Sequence, residues 1–289
     1  MLEEQAVGVI GGSGLYEMDG FEDIERVHLS TPFGEPSDAF IVGRFQGLKT
    51  VFLPRHGVGH RIAPNEINFR ANIWGMKRLG VSRILSISAV GSMREEIAPG
   101  DFVLVDQFID RTRHRQDSFF GSGVVAHVMF ADPTCSELSA RLARASQPLD
   151  LTLHKQGTYL CMEGPQFSTR AESLLYRSWG VDVIGMTNLQ EARLSREAEI
   201  CYSSVAMSTD YDCWREDEAD VSVEAILAVM GRNVGKAQEL IRLALPLLGD
   251  VPGCACQNAL QYAILTDHAS ISPEARDRLG LLIEKYLHS

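Results

Sequence analysis

Two carboxylates, Asp210 and Asp212, directly follow the apolar run of residues 200–207, which is typical of a buried strand. Ligands of α/β proteins bind at the ends of the strands in the sheet. An ionised carboxylate accepts hydrogen bonds, so it suits the N–H groups on one edge of a base such as adenine, and it can also hold a proton for a leaving nitrogen. Because aspartate also begins turns and caps helices, the pair alone does not decide between a ligand site and a structural turn.

Two other turns after predicted strands carry groups that suit an anion. The first predicted strand runs into Gly11-Gly12-Ser13-Gly14-Leu15, whose backbone N–H groups and Ser13 hydroxyl can surround an anion. Its spacing matches neither a P-loop nor a complete dinucleotide-binding fingerprint, so a plain tight turn is an equal alternative. The strand at residues 50–53 runs into Arg55 and His56, where the arginine offers a planar fork for phosphate and the histidine offers a further donor. A solvated arginine beside a helix-capping histidine is the competing interpretation.

Three more strand ends carry small, hydroxyl-bearing or aromatic residues. Residues 88–92 end one predicted strand, and residues 186–187 follow another. Together with the two turns above, they indicate an orthophosphate pocket at four strand ends. A fifth strand end, at residues 163–168, places Phe167 where its ring can stack on a purine, a contact worth about 1–3 kcal/mol, although this ring could instead be ordinary core.

The elements that would hold these turns alternate between short β-rich runs and longer helical patterns. Strands are predicted at residues 7–10, 39–45, 50–53, 83–88, 102–105, 157–161, 181–184 and 200–207. Helices are predicted at residues 66–79, 134–145, 169–179 and 190–199, followed by a largely helical C-terminal third. There, apolar residues recur every three or four positions from Val223 to Ala244, which indicates a core-facing stripe. The alternation predicts an α/β fold with a central sheet, and because no linker or repeat divides the chain, one domain is favoured.

Composition and charge argue against several classes of protein. Of the 289 residues, 45% are hydrophobic and 22% are charged, and no stretch has the apolar length of a transmembrane helix. The beginning of the chain does not resemble a secretory signal, so we expect a soluble, cytoplasmic protein. The formal net charge of −11 argues against nonspecific binding to nucleic acid or to an anionic membrane.

The sequence also contains cysteines at positions 135, 161, 201, 213, 254 and 256. Their spacing is not that of a zinc site, so we expect no metal. Cys161 and Cys201 lie in apolar runs and are expected to be buried as small hydrophobic residues. Cys254-Ala255-Cys256 is either a strained, redox-active disulfide or two free thiols at the start of a helix, and a reducing compartment favours the thiols.

The longest predicted irregular segment covers residues 110–132. It carries Arg111, Arg113, His114, Arg115, Phe119, Phe120 and His127. Loops of this length inside a compact domain usually have a function or pack against a partner.

Five of these segments, in this order and at this spacing, resemble the motifs of the 5'-methylthioadenosine phosphorylases, a branch of the trimeric purine nucleoside phosphorylase family. The segments are Gly11–Leu15, Pro54–Gly57, Glu163–Pro165, Asp182–Thr187 and Thr209–Trp214. The resemblance extends from Val7 to the C-terminal helix. It implies a single α/β domain with a central mixed, twisted β-sheet flanked by helices, a homotrimer, and a role in purine and methionine salvage. Inorganic phosphate would be a co-substrate, and no cofactor would be needed.

The resemblance also implies roles for individual residues. Phosphate would be bound by Ser13, Arg55, His56, Ser88, Ala89 and Thr187. The nucleoside would be bound by Phe167, Ser168, Met186, Asp210, Asp212, Val223, Ile226, Leu227, His60 and, from a neighbouring subunit, His127. Asp210 would be the catalytic residue that protonates or hydrogen-bonds adenine N7, which requires its carboxyl group to hold a proton near neutral pH. Gln166 stands where many members have arginine and leaves one fewer positive charge near the site.

An aspartate at position 210 favours adenine, which offers a donor where a 6-oxopurine offers an acceptor. The expected reaction is therefore cleavage of 5'-methylthioadenosine by phosphate, giving adenine and 5-methylthioribose 1-phosphate. A methylthioinosine or 6-oxopurine nucleoside phosphorylase is the nearest alternative. A hydrolytic nucleosidase, which would need a placed water and a base, and a non-catalytic nucleotide sensor are more distant alternatives.

Overall fold

The computed structural model of the chain describes residues 4–16, 19–215, 223–249 and 254–287. The strands are β1 (Ala6–Gly11), β2 (Phe21–Val27), β3 (Phe40–Phe45), β4 (Leu48–Pro54), β5 (Val81–Ser92), β6 (Phe102–Val105), β7 (Gln107–Arg111), β8 (Leu153–His154), β9 (Thr158–Met162), β10 (Val183–Gly185) and β11 (Cys201–Asp210). The helices are α1 (Phe69–Arg78), α2 (Ser136–Ala145), α3 (Arg170–Ser178), α4 (Asn188–Glu197), α5 (Val223–Leu248) and α6 (Pro273–Leu287).

The described strands form one mixed sheet. Its main path has the order β2-β3-β4-β1-β5-β10-β9-β7, while β11 pairs with β5 and β6, and β6 pairs with β8. β1 is parallel to both β4 and β5, and β11 is parallel to β5, whereas β10 is antiparallel to β5. The predicted α/β domain with a central mixed sheet is confirmed.

The short apolar runs become central strands because helices cover both faces of the sheet. Every residue of β1 is buried, and in β11 only Asp210 at the end is partly exposed. Successive side chains of a strand point to opposite faces, so Ile84 of β5 packs with apolar residues of α1, α4 and α6, and Leu85 packs with those of α2 and α5. Ala237, Ile241 and Ala244 of α5 are buried, as the apolar stripe predicts. None of the described helices has the length and apolar character needed to cross a membrane.

The sequence analysis does not identify strands β2, β7 and β8, and it extends two helices too far. In β2 only Phe21 is fully buried, and the strand pairs only with β3 among the described strands. The charged residues of such an edge strand hide the apolar pattern on which the prediction depends. Helix α1 begins three residues later than predicted and α3 one residue later, because Asn68 and Thr169 cap them, each accepting a backbone N–H with its side chain. The predicted irregular segment 110–132 begins only after Arg111, because its first two residues belong to β7.

The register of the parallel strands brings the predicted site turns to one edge of the sheet. Gly11 at the end of β1 pairs with Pro54 at the end of β4, and Ile10 pairs with Ser86 of β5. On the other side of β5, Gly91 pairs with Asp210 at the end of β11. The chain therefore leaves β1, β4, β5 and β11 on the same side of the sheet, as ligand-binding α/β folds require.

Candidate active site

The ends of β1 and β4 meet at the anion side of the predicted site. The Arg55 amide donates to the Gly11 carbonyl over 3.0 Å. Gly11 lies so close to Leu15 that a β-carbon added to it would stand 2.4 Å from the leucine Cδ1, so a larger residue there would require the leucine side chain to move. Gln238 of α5 donates to the Gly14 carbonyl over 2.8 Å. The glycine turn is therefore fixed between β4 and α5, while the side chain of Ser13 lies outside the described residues.

The side chain of Arg55 is buried and already engaged within the chain. Its Nε donates to Glu191 Oε1 over 2.5 Å, and its Nη2 donates to Glu191 Oε2 over 3.3 Å and to Ser86 Oγ over 2.6 Å. Its Nη1 donates to the Ile87 carbonyl over 3.0 Å. Burial opposes the charge of Arg55, but the Glu191 carboxylate outweighs it and raises the guanidinium pKa. Since these bonds use four of the five guanidinium N–H groups, the arginine cannot offer phosphate the free fork that its sequence position suggests.

One ring nitrogen of His56 is already engaged within the chain. Its Nδ1 lies 2.9 Å from the Ile62 carbonyl, and because a carbonyl only accepts, Nδ1 carries the proton. Burial, the Arg55 charge and His60 lower the His56 pKa to about 4, so the ring is neutral at physiological pH. Its Nε2 is then a lone-pair acceptor, suited to the hydroxyl of monohydrogen phosphate.

Hydroxyl groups from β5 and from the start of α4 complete this side of the site. The Ser88 hydroxyl is buried and has no hydrogen-bond partner among the described residues, which is unusual for a buried polar group. Ala89, the next residue, is half-buried. Thr187 is the N-cap residue of α4, but its hydroxyl does not cap the helix and contacts Asn188 Oδ1 at 3.2 Å. The Ser88 hydroxyl is thus available to an anion near the positive end of the α4 dipole, whereas the Thr187 hydroxyl must turn away from Asn188 to donate to one.

Behind these groups lies a buried polar network that the sequence analysis missed. Glu191 accepts from Ser86 Oγ over 2.7 Å and from the Tyr202 hydroxyl over 3.0 Å, in addition to Arg55. Asn188 donates to Ser86 Oγ over 3.1 Å and to the Tyr202 hydroxyl over 3.2 Å. One feature of the sequence indicates this network: polar residues occupy the first turn of a helix that directly follows a predicted site turn.

The two aspartates lie at the other end of the site and hydrogen-bond to each other. Asp210 Oδ1 accepts from the Asp212 amide over 2.8 Å, and Asp210 Oδ2 accepts from the Thr209 hydroxyl over 2.7 Å. Asp212 is buried and accepts from Ser168 Oγ over 2.7 Å and 2.9 Å to its two oxygens. The structure thus joins Ser168 to Asp212, and the Asp212 backbone to Asp210. Both carboxyl oxygens of Asp210 thus accept a hydrogen bond from the chain.

A buried arginine of the long segment fixes the turns after β9 and β10. Arg115 donates to the carbonyls of Met186, Glu163 and Met162, and its Nη1 also donates to Gln190 Oε1 over 3.0 Å. The Met186 carbonyl therefore accepts one hydrogen bond from Arg115, and its second lone pair and the Met186 N–H can still meet a ribose hydroxyl. The sequence analysis places Arg115 in a functional loop but assigns it no contact.

The remaining predicted residues are more exposed or are not described. Phe167 is 49% exposed, so it is not core, which leaves its ring free for stacking. His60 is exposed and stacks on His56 with ring centroids 4.2 Å apart. His127 is exposed, its backbone N–H donates to the Ala263 carbonyl, and among the described residues no hydrogen bond joins its side chain to the site. The side chains of Val223, Ile226 and Leu227, at the start of α5, lie outside the described part of the chain.

Comparison with known proteins identifies a family and relatives of this chain. The profile of the phosphorylase superfamily matches residues 6–246. The S-methyl-5'-thioadenosine phosphorylase of Geobacter sulfurreducens is 59% identical over 98% of this chain and 100% of that protein. The S-methyl-5'-thioadenosine phosphorylase of Koribacter versatilis is 53% identical over 97% of this chain and 96% of that protein.

Solved structures show the same similarity in three dimensions. The crystal structure of a methylthioadenosine phosphorylase from an Antarctic soil metagenomic library superposes with a TM-score of 0.93, at 44% identity over 97% of this chain and 99% of that one. The methylthioadenosine phosphorylase of Schistosoma mansoni in complex with adenine has a TM-score of 0.85, at 34% identity over 90% of this chain and 99% of that one.

Proposed function

The chain belongs to the phosphorylase superfamily, and we propose that it cleaves 5'-methylthioadenosine with inorganic phosphate to give adenine and 5-methylthioribose 1-phosphate. One structural observation supports the proposal independently of the similarity to known proteins. Ser88, with its unpartnered hydroxyl, and Gly91, which pairs with Asp210, lie three residues apart on β5. Three residues of strand span roughly 10 Å, the distance that one sugar needs between an anion and a base.

The reaction breaks the C1'–N9 bond, whose electron pair leaves with adenine, and forms a bond from C1' to a phosphate oxygen. The sugar passes through a cationic transition state, which a phosphate anion on the opposite face stabilises electrostatically before it attacks. Monohydrogen phosphate loses its proton as the new bond forms, and neutral adenine gains one. His56 Nε2 accepts the phosphate hydroxyl in the bound state, which orients the attacking oxygen towards C1'.

The phosphate side works chiefly through hydroxyl and N–H donors, because the Arg55 charge is largely balanced by Glu191. Ser88, Thr187 and the amides of the glycine turn that contains Ser13 donate to phosphate. Ala89 lies beside Ser88 and borders the phosphate. Arg55 donates its remaining Nη1–H to phosphate. Its other bonds connect the end of β4 to β5 and to α4.

On the nucleoside side, Asp210 accepts a hydrogen bond from N7–H of the departing adenine, and Asp212 and Ser168 orient it. Phe167 stacks on the purine, Met186 binds the ribose hydroxyls through its backbone, and Val223, Ile226 and Leu227 surround the methylthio group. An ionised aspartate repels the carbonyl oxygen of a 6-oxopurine, so methylthioinosine is the disfavoured alternative. No organic cofactor takes part.

We further propose a cytoplasmic homotrimer that acts in purine and methionine salvage. Large apolar side chains are exposed along residues 125–129 and 262–265, including Met129 at 86% and Tyr262 at 89% exposure. These two segments pair through the Ala126–Ile264 bridge and form one patch suited to a second copy of the chain. His127 of a neighbouring subunit would then reach the end of the nucleoside near which His60 lies.

The reaction is tested by measuring adenine release from 5'-methylthioadenosine with and without phosphate, and by identifying the sugar product with phosphorus NMR. We expect adenine release to require phosphate and the sugar product to be a 1-phosphate. Equal rates without phosphate, with free methylthioribose as product, would identify a hydrolase instead. A higher rate with methylthioinosine would overturn the adenine assignment.

A further inference from the structure

Four cysteines that are far apart in the sequence meet at one point in the fold. The Sγ atoms of Cys135, Cys201, Cys254 and Cys256 all lie within 4.8 Å of one another among the described residues. We propose that this group, the cysteine cluster, is a structural tetrathiolate site for one divalent, thiophilic cation of the zinc class. It is remote from the active site, since Cys201 begins β11 and Asp210 ends it, roughly 30 Å away along the strand.

Separate elements of the fold place the four thiols. Cys135 is the N-cap residue of α2, and its amide donates to the Tyr202 carbonyl of β11 over 2.7 Å, which sets it beside Cys201. Cys254 and Cys256 lie at the start of the 3₁₀ turn Ala255–Asn258, which follows α5. The sequence prediction of no metal depended on spacing along the chain, and only the fold brings positions 135 and 201 to the later pair.

The sulfur geometry is that of a closed four-ligand site. A tetrahedral ion bound by thiolates at about 2.3 Å requires sulfurs about 3.8 Å apart. In the cluster, Cys254 Sγ lies 3.4 Å from Cys135 Sγ and 3.3 Å from Cys201 Sγ, and no pair exceeds 4.8 Å. Small adjustments of side-chain angles would therefore bring all four sulfurs to an ion at their centre.

The same distances favour a shared ion over two disulfides. A disulfide joins each sulfur to one partner, whereas Cys254 lies almost equally close to two. Cys135, Cys201 and Cys256 are buried, and Cys254 is half-buried, so an ion could enter on its side and then be shielded from water. The position of Cys135 at the N-terminus of α2 also favours a thiolate there.

A bound ion would connect the segment after α5 to the sheet. That segment continues into residues 263–266, which hydrogen-bond to residues 125–127 of the long loop through the backbone of Ala263 and Leu265 and the side chain of Thr266. The ion would thus hold together β11, α2 and the segment that supports the exposed patch described above. This role is structural and is independent of the proposed reaction.

Metal analysis of the protein purified under anaerobic, reducing conditions tests the site. We expect about one zinc ion per chain in the wild type, and at least a tenfold loss of bound zinc in Cys254→Ser and Cys201→Ser. Cys161→Ser, which changes a buried cysteine outside the cluster, is the matched control and should keep its zinc.

A second test uses only the wild-type protein, so its result does not depend on whether the variants fold. The metal is removed with a chelator and the protein is titrated with cobalt. We expect the intense visible spectrum of a tetrahedral cobalt thiolate, complete at about one equivalent. The proposal is overturned if the reduced wild type binds neither zinc nor cobalt, if Cys254→Ser retains full zinc, or if the four cysteines are found as disulfides in metal-free protein isolated without air.

Discussion

The two halves of the active site differ in how completely one chain builds them. On the phosphate side, Arg55, Glu191, Asn188 and Ser86 form a buried, mutually satisfied network, and Ser88 is the buried hydroxyl that this network leaves open. On the nucleoside side, Phe167 is 49% exposed and Asp210 is partly exposed. The proposed phosphate half therefore depends on the buried core of the fold, whereas the proposed nucleoside half is open to solvent in the single chain.

The largest effect should come from breaking the network under the phosphate half. Glu191→Gln leaves the Arg55 charge buried without its counter-charge, which typically costs about 3–5 kcal/mol. We expect a corresponding loss in the free energy of unfolding, measured by denaturant titration. Glu239→Gln, which breaks an exposed ion pair with Arg242, is the control and should not change stability measurably. Equal stability of Glu191→Gln and wild type would mean that the network does not hold the site.

The nucleoside half should instead control catalysis and base choice. Asp210→Asn removes the acceptor at N7 and should lower kcat/KM for 5'-methylthioadenosine by about 100-fold or more. The amide donates to a carbonyl oxygen, so the ratio of activities should shift towards methylthioinosine. The unfolding free energy should change little, because Asp210 is partly exposed. A uniform loss on both substrates would argue that Asp210 does not read the base.

The buried histidine beside the phosphate should make stability depend on pH. The pKa of His56 is about 4 in the folded chain, below the ordinary value of 6.5, so between these values the unfolded state binds the extra proton. Stability should therefore fall as the pH is lowered from 6.5 towards 4, by about 1 kcal/mol per pH unit relative to His56→Asn, which can keep the bond to the Ile62 carbonyl. Parallel stability curves for wild type and variant would show that the ring is not held neutral.

The smallest expected effect is a difference between alanine variants of two serines on the same strand. Ser88→Ala removes a hydroxyl that has no described partner in the chain, so it should leave stability unchanged while raising KM for phosphate about fivefold, the worth of one hydrogen bond. Ser86→Ala removes a hydroxyl of the network and should lower stability instead. The comparison fails if both variants have the same effect on KM and on stability.

The central strands and the strand-end motifs can be predicted from the sequence alone, because buried strands have apolar runs and the site turns follow them directly. It was insufficient where side chains meet across the fold. The Arg55 turn was found, but its partner Glu191 lies 136 positions away along the chain, and nothing local indicates that a helix would deliver it. The cysteine cluster was missed for the same reason.

Edge strands and capped helix ends show a second limit. β2 carries charged residues because it lies at an edge of the sheet, and this removes the alternation that identifies a strand. The donor role of His56 towards phosphate stays a prediction, and the Ile62 carbonyl beside its Nδ1 is visible only in the fold. The assignments of Val223, Ile226, Leu227 and His127 stay predictions.

A crystal structure with phosphate and an unreactive analogue of 5'-methylthioadenosine tests the central claim most directly. The account predicts phosphate within hydrogen-bonding distance of the Ser88 and Thr187 hydroxyls, the adenine edge against the Asp210 carboxylate, and C1' between them. A base turned away from Asp210, or an anion bound elsewhere than beside Ser88, would contradict it.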